Sequence, residues 1–143
     1  MRQLDAHEDI SAAPERVWAV LTDFASFPQW NPFLVKMEGE LRVGSRLTLT
    51  IKAPEMRPVT FHPRVLTVSP GREIRWRGVT GVRGLFDGVH SLTVEPLSDG
   101  RSRFRTHEDV SGMLLPFLGK VMSRSQQGFE QLARAVKERA EAA

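Results

Sequence analysis

His90 and Glu108, in the second half of the chain, are residue types that exchange protons near neutral pH, and local sequence places them together. An imidazole titrates close to physiological pH, and a carboxyl group drawn out of water shifts its own titration toward that range. The two lie in FDGVHSLTVEP and RSRFRTHEDV, which alternate apolar and polar residues as strands do and flank the short loop Ser98-Asp99-Gly100. A three-residue hairpin loop ordinarily ends on a residue of positive φ, so Gly100 takes its last position and Leu97 opposes Arg101. Val94 then meets Phe104, Leu92 meets Thr106 and His90 meets Glu108, on the face that also carries Phe86. A pair so placed reads as a hydrogen-bonded acid and base, as a polar anchor for a ligand, or as a structural or solvated pair near the open end of the sheet. The structural reading is the simplest, because the pattern shows no second acid or base.

Other chemistries are excluded or disfavoured by residue type. The chain has no cysteine, which removes disulfides, thiolate nucleophiles and cysteine-ligated metal centres. No two histidines share helical or strand spacing with a carboxylate on a common face, so no metal or other cofactor is expected, and His7, His62 and His107 read as surface residues. Lys and Arg total 20 against 17 for Asp and Glu. Arg72, Arg75, Arg77, Arg83, Arg101, Arg103 and Arg105 are scattered among apolar residues as solvent-facing strand positions are, with no interleaved aromatic stacking platform, so nucleic acid is not an expected partner. No run approaches the roughly 20 apolar residues of a membrane span, and MRQLDAHEDI lacks the layout of a secretion signal. The expectation is a cytoplasmic protein, without stable membrane insertion, acting as a monomer or homodimer.

The elements that must position His90 and Glu108 are legible along the chain. With 143 residues, 41% of them apolar, and no repeat or linker, residues 1–143 read as one domain. A strand through Ile10 leads to Pro14, suited to the first turn of a helix with Val17, Trp18, Val20 and Leu21 on one stripe. Pro28 and Pro32 force turns or a second short helix. From Leu34 to about Val110 an antiparallel meander is predicted. Val35, Met37 and Leu41 face Leu47, Leu49 and Ile51 across Val43-Gly44-Ser45, and Val59 to Val68 is interrupted by Pro63 at a bulge or edge. From Met113 onward one long helix is predicted, with Leu118, Met122, Ser125, Phe129, Leu132 and Val136 at helical spacing. Pro116 marks an early kink or the first turn, and Gly128 suggests a close approach to the sheet.

A curved meander with one apolar face needs the long helix as its cover. Whether side chains fill the space between them or a cavity remains is left open by the sequence. Inward-pointing His90, Thr106 and Glu108 favour a cavity, since each buried polar group without a partner costs about 1–3 kcal/mol and a guest or water would supply partners. Most aromatic residues belong to the core. The expected ligand-lining set is Trp30, Phe33, Leu49, Phe61, Trp76, Phe86, His90, Phe104, Glu108, Met113, Phe117 and Met122.

The stretches ISAAPERVWAVLTDFASFPQWNPF, VSPGREIRWRG, GVHSLTVEPLSDGRSRFRTHEDVSG and GFEQLARAVKERAEA resemble the polyketide cyclase, dehydrase and lipid-transport superfamily, also called the START or birch-pollen-allergen-like superfamily. The resemblance covers nearly the whole chain. It implies an α+β helix-grip fold: a seven-stranded curved antiparallel sheet, two short helices after the first strand, and a long gripping C-terminal helix. Members bind lipids, sterols, polyketides or plant hormones, and some catalyse cyclisation or dehydration. The leading expectation is therefore binding or transport of a hydrophobic small molecule, lipid- or polyketide-like, in an internal cavity. The alternative is an aromatase/cyclase-type enzyme with His90 and Glu108 as proton-transfer partners. A further alternative is a chaperone-activator-like interaction module, which predicts an exposed apolar patch and no deep pocket.

Overall fold

The computed structural model describes residues 1–79 and 84–142; Arg83, one of the scattered arginines, lies outside the described residues. Strand β1 (Arg2–Ile10) is followed by α1 (Pro14–Thr22) and α2 (Phe27–Trp30), and then by β2 (Leu34–Glu38), β3 (Thr48–Ile51), β4 (Val59–Phe61), β5 (Arg64–Ser69), β6 (Glu73–Val79), β7 (Asp87–Pro96), β8 (Ser102–Ser111) and the long helix α3 (Gly119–Glu141). The architecture is the α+β helix-grip arrangement, a curved antiparallel sheet gripped by α3.

The described residues form eight strands, not the seven implied by the resemblance, and Pro63 is the reason. Proline cannot donate to a ladder, so the run from Val59 to Ser69 breaks into β4 and β5 and the sheet divides into the orders β1-β8-β7-β6-β5 and β2-β3-β4. The two halves still meet: an isolated bridge joins Arg46 to Arg64, and Leu47 N donates to Pro63 O at 2.9 Å. The break lets the sheet bend sharply and present one concave face.

The hairpin β7–β8 has the register its loop chemistry predicts, with Val94 opposite Phe104, Leu92 opposite Thr106 and His90 opposite Glu108. Gly100 adopts φ 71° at the last loop position, and Leu97 N donates to Arg101 O at 2.8 Å. The β2–β3 pairing departs from the expected phase. An irregularity between Leu34 and Lys36 puts Leu34 and Met37 in the core and leaves Val35 only half-buried, because a bulge inserts one residue and flips the alternation.

Helix α3 begins later than predicted, at Gly119. Pro116 sits in a separate 3-10 turn at Leu115–Phe117, neither kinking α3 nor opening it. The stripe Met122, Phe129, Leu132, Ala133 and Val136 is buried at helical spacing. Gly128 is explained by close approach, although to Phe33 just before β2: a β-carbon at 128 would overlap the Phe33 ring, which meets Phe129 edge-on at 5.4 Å. Toward its C-terminus α3 is tied down by polar contacts, with Lys137 Nζ donating to Asp9 O at 2.7 Å and Arg16 reaching the carbonyls of Arg139 and Ala140.

Candidate functional site: an apolar cavity under the long helix

Between the concave face and the first turns of α3 lies a cavity of about 130 Å³. Its walls come from β3 (Leu49, Ile51), β4 (Val59, Phe61), β6 (Trp76, Gly78), β7 (Gly88, His90), β8 (Glu108) and α3 (Val121, Met122, Ser125), with Phe33, Phe86 and the β3–β4 loop completing it. Phe33 is aimed inward by the turn before it, where Asn31 Oδ1 accepts from Phe33 N at 3.1 Å and Leu34 N at 2.9 Å. The space follows from missing side chains. Gly78 and Gly88 face one another across β6 and β7, in phase with inward-pointing Trp76 and His90, so the wall has no side chain at two adjoining positions.

The polar groups in this wall have different roles. The His90 ring is stacked on Phe129 (centroids 4.8 Å apart, planes 13° apart) and lies against Trp76 at 4.8 Å. Its Nε2 is 2.7 Å from Thr106 Oγ1. Burial pushes the imidazole down to about 3, with the charge of His107 a smaller cause, so His90 is neutral at physiological pH. Glu108 lies on the neighbouring strand with Oε2 directly over Gly88, where a β-carbon would have no room. Burial against apolar walls, helped by the adjacent negative charge of Asp109, pushes this carboxyl up to about 7. No hydrogen bond joins His90 to Glu108, so the hydrogen-bonded acid and base, one of the readings the sequence left open, does not form. The histidine places Nε2 against the diagonal neighbour Thr106, and the glutamate lies back over the glycine.

The mouth is framed by exposed residues. Arg57 and Val59 stand on one rim. In the same β3–β4 loop Glu55, held at φ 60°, forms an ion pair with Arg124 of α3 and straps the loop to the helix.

Residues 1–141 match the family described as polyketide cyclase / dehydrase and lipid transport. The chain belongs to that family. Membership sets it among proteins of polyketide chemistry and lipid transport, with a ligand-binding or polyketide-related role. Similar solved structures include the Zhui aromatase/cyclase from Streptomyces sp. R1128 (17% identity, 98% of this chain and 93% of that one, TM-score 0.79). Others are a START superfamily protein from Mycobacterium smegmatis (20% identity, 97% of each chain, TM-score 0.73) and protein CV1439 from Chromobacterium violaceum (22% identity, 100% of each chain, TM-score 0.76). At these identities the likeness is one of fold. No curated protein sequence matches the chain. Among the described residues no helix is long and apolar enough to cross a membrane.

Within this polyketide cyclase / dehydrase and lipid transport fold, Phe33, Leu49, Phe61, Trp76, Phe86, His90, Glu108 and Met122 of the expected set come together around the cavity. The others do not. Trp30 packs edge-on against Phe27 at 5.5 Å, and Phe104 is fully buried in the core. Met113 and Phe117 are 76% and 81% exposed, because the chain from Gly112 to Leu118 turns outward before α3 begins. Sequence reasoning missed Arg57 and Met56, which lie in a loop without periodicity, and Val121, which sits one residue off the helical stripe. Ser125 was legible as a stripe position and reaches the cavity.

Proposed function

We propose that the protein, as one domain over residues 1–143, binds a hydrophobic small molecule, lipid- or polyketide-like, in the cavity beneath α3. The observation that carries this reading is an apolar space between sheet and helix, walled by Phe33, Phe61, Trp76 and Phe86 and left open by the missing side chain at Gly78. Removing apolar guest surface from water, at about 25 cal/mol per Å², drives the binding. The test is native mass spectrometry of the protein purified from its own host. A copurifying lipophilic compound is the expected result. A bare protein that also shows no thermal shift with any apolar ligand in a broad screen overturns the reading.

A second reading, an aromatase/cyclase-type enzyme, is favoured by one observation: Glu108 faces the cavity with its titration raised to about 7, where a carboxyl serves as acid or base. The aromatase/cyclase among similar structures supports it at the level of fold. In this reading Glu108 moves the proton, and His90, neutral and tied to Thr106, shapes the wall. Loss of turnover with binding retained in Glu108→Gln supports it; unchanged turnover removes Glu108 from the chemistry. The interaction-module alternative predicts an exposed apolar patch, which Met113 and Phe117 supply, and no deep pocket, against which the cavity argues.

A further inference from the structure

The carboxyl group of Glu108, half-buried in the cavity wall, has no hydrogen bond or ion pair among the described residues. The fold keeps it there. Gly88 gives up its side chain to the Glu108 carboxylate oxygen, and any β-carbon at 88 would push that oxygen away. The nearby polar groups do not pair with it: His90 Nε2 is 2.7 Å from Thr106 Oγ1, no hydrogen bond joins its Nδ1 to Glu108, and Arg57 stands exposed at the rim. The remaining wall is aromatic, and Trp76, Phe33, Phe61 and Phe86 present ring systems whose faces are electron-rich. A carboxyl group among aromatic faces is the composition that receives an ammonium ion.

We infer that the preferred guest of this cavity is an apolar amine whose ammonium group pairs with the Glu108 carboxylate among the faces of Trp76, Phe33 and Phe86. This deepens the binding reading and rests on it. An anionic guest brings a like charge to Glu108. A neutral guest gains the apolar burial and at most a hydrogen bond to the carboxylate, without the charge pairing. A cation gains both, and it removes the cost of a lone buried charge, since an opposite charge within reach draws a raised carboxyl back toward its ordinary range. The volume of about 130 Å³ suits one ring, close to the roughly 150 Å³ apolar cavities that admit benzene. The open rim at Val59 and Arg57 admits a larger substituent.

Among the described residues, the charged and titratable groups around Glu108 leave its own ionisation to set the pH dependence. Asp109, beside it on β8, adds a negative charge that raises it. His90 on β7 is neutral, Leu4 faces it from β1, Arg124 on α3 is occupied by Glu55, and Arg57 belongs to the rim. The experiment is calorimetric titration of the full chain with 2-naphthylmethylamine, 2-naphthylmethanol and 2-naphthoate at about pH 6 and about pH 8. The amine is expected to bind about tenfold tighter than the alcohol at the higher pH, and to weaken about tenfold at the lower pH as Glu108 takes up a proton. Naphthoate is expected to bind weakest, and Glu108→Gln to abolish the amine's advantage over the alcohol. The pH comparison on the unmutated chain stands if that variant fails to fold. Equal affinity for amine and alcohol, or a preference for naphthoate, overturns the amine inference and leaves the cavity reading intact. No binding by any of the probes overturns the amine inference, and the cavity reading falls with it when the protein from its own host also carries no lipophilic compound and the broad screen finds none.

Discussion

The same helix covers two regions of sheet with opposite results. From Phe129 onward, α3 presses Leu132, Ala133, Val136 and Ala140 into the core with Ile10 and Phe104, and the seam is sealed by Lys137 on Asp9 O, Arg16 on the terminal carbonyls, and Ser102 Oγ on Ala12 O at 2.7 Å. In its first turns, Val121, Met122 and Ser125 look across the cavity toward Gly78 and Gly88. The closed half has a large side chain on each facing element; the open half has none at Gly78, and the place left at Gly88 is taken by the Glu108 carboxyl. The cavity thus comes from the side chain omitted at Gly78 on β6 and a late helix start, with the helix and sheet otherwise of one design.

The contrast is tested most severely by truncations on either side of it. Leu132→Ala in the closed half is expected to cost about 3 kcal/mol, within the range for core leucines, because the interior cannot collapse around the loss. Val121→Ala at the cavity is expected to cost less than about 1 kcal/mol, since one side of that residue already faces open space. Urea denaturation of both measures the difference, and equal costs would erase the distinction between the two halves.

Glu108→Gln comes next. The folded carboxyl at about 7 lies above the value of 4.5 for an unburied glutamate. At low pH both folded and unfolded chains carry the proton and nothing is lost. As pH rises from about 4.5 to about 7 the unfolded chain ionises first, and folding stability falls to a plateau above that window. Glutamine cannot ionise, so the variant is expected to gain on the order of 2 kcal/mol above neutral pH, a figure discounted for residual solvent contact, and nothing at pH 4. Denaturation midpoints across pH check the sign, and a flat difference would place Glu108 in water. His90 works in the opposite sense. Its folded value of about 3 against 6.5 makes stability complete above 6.5 and progressively lost as pH falls toward 3.

Gly78→Val probes the omitted side chain directly. Nothing lies within 4 Å of a β-carbon at 78 and its backbone is outside the left-handed region, so the fold is expected to tolerate the change. Affinity for an apolar probe is expected to fall about tenfold as the void fills; unchanged affinity would show that guests bind elsewhere. The smallest effect is expected at the strap, where Glu55→Gln removes an ion pair with Arg124 in which Glu55 is 69% exposed. Its stability cost is expected below about 1 kcal/mol, while stopped-flow release of a bound fluorescent probe is expected to quicken.

The parts legible in advance are those governed by near neighbours. Gly100 sets the β7–β8 register because positive φ at the end of a short loop leaves few ways to pair what flanks it, and the α3 stripe follows from helical periodicity. The bulge at Val35 was not legible, since one unpaired residue leaves no mark on composition. The exposure of Met113 and Phe117 was hidden by apolar residues that read as helix. The glycines at 78 and 88 were visible as letters, but only the β6–β7 ladder sets them face to face.

Local sequence by itself determined the strand alternation, the hairpin register and the apolar face of α3, because each depends on dihedral preferences and periodicities within a few residues. Tertiary structure alone decided that His90 turns to Thr106, that Glu108 rests on Gly88, and that a cavity survives between them and the helix. Those outcomes depend on which side chains compete for one volume, and the competitors come from segments far apart in the chain and meet only when the sheet curls and the helix closes over it.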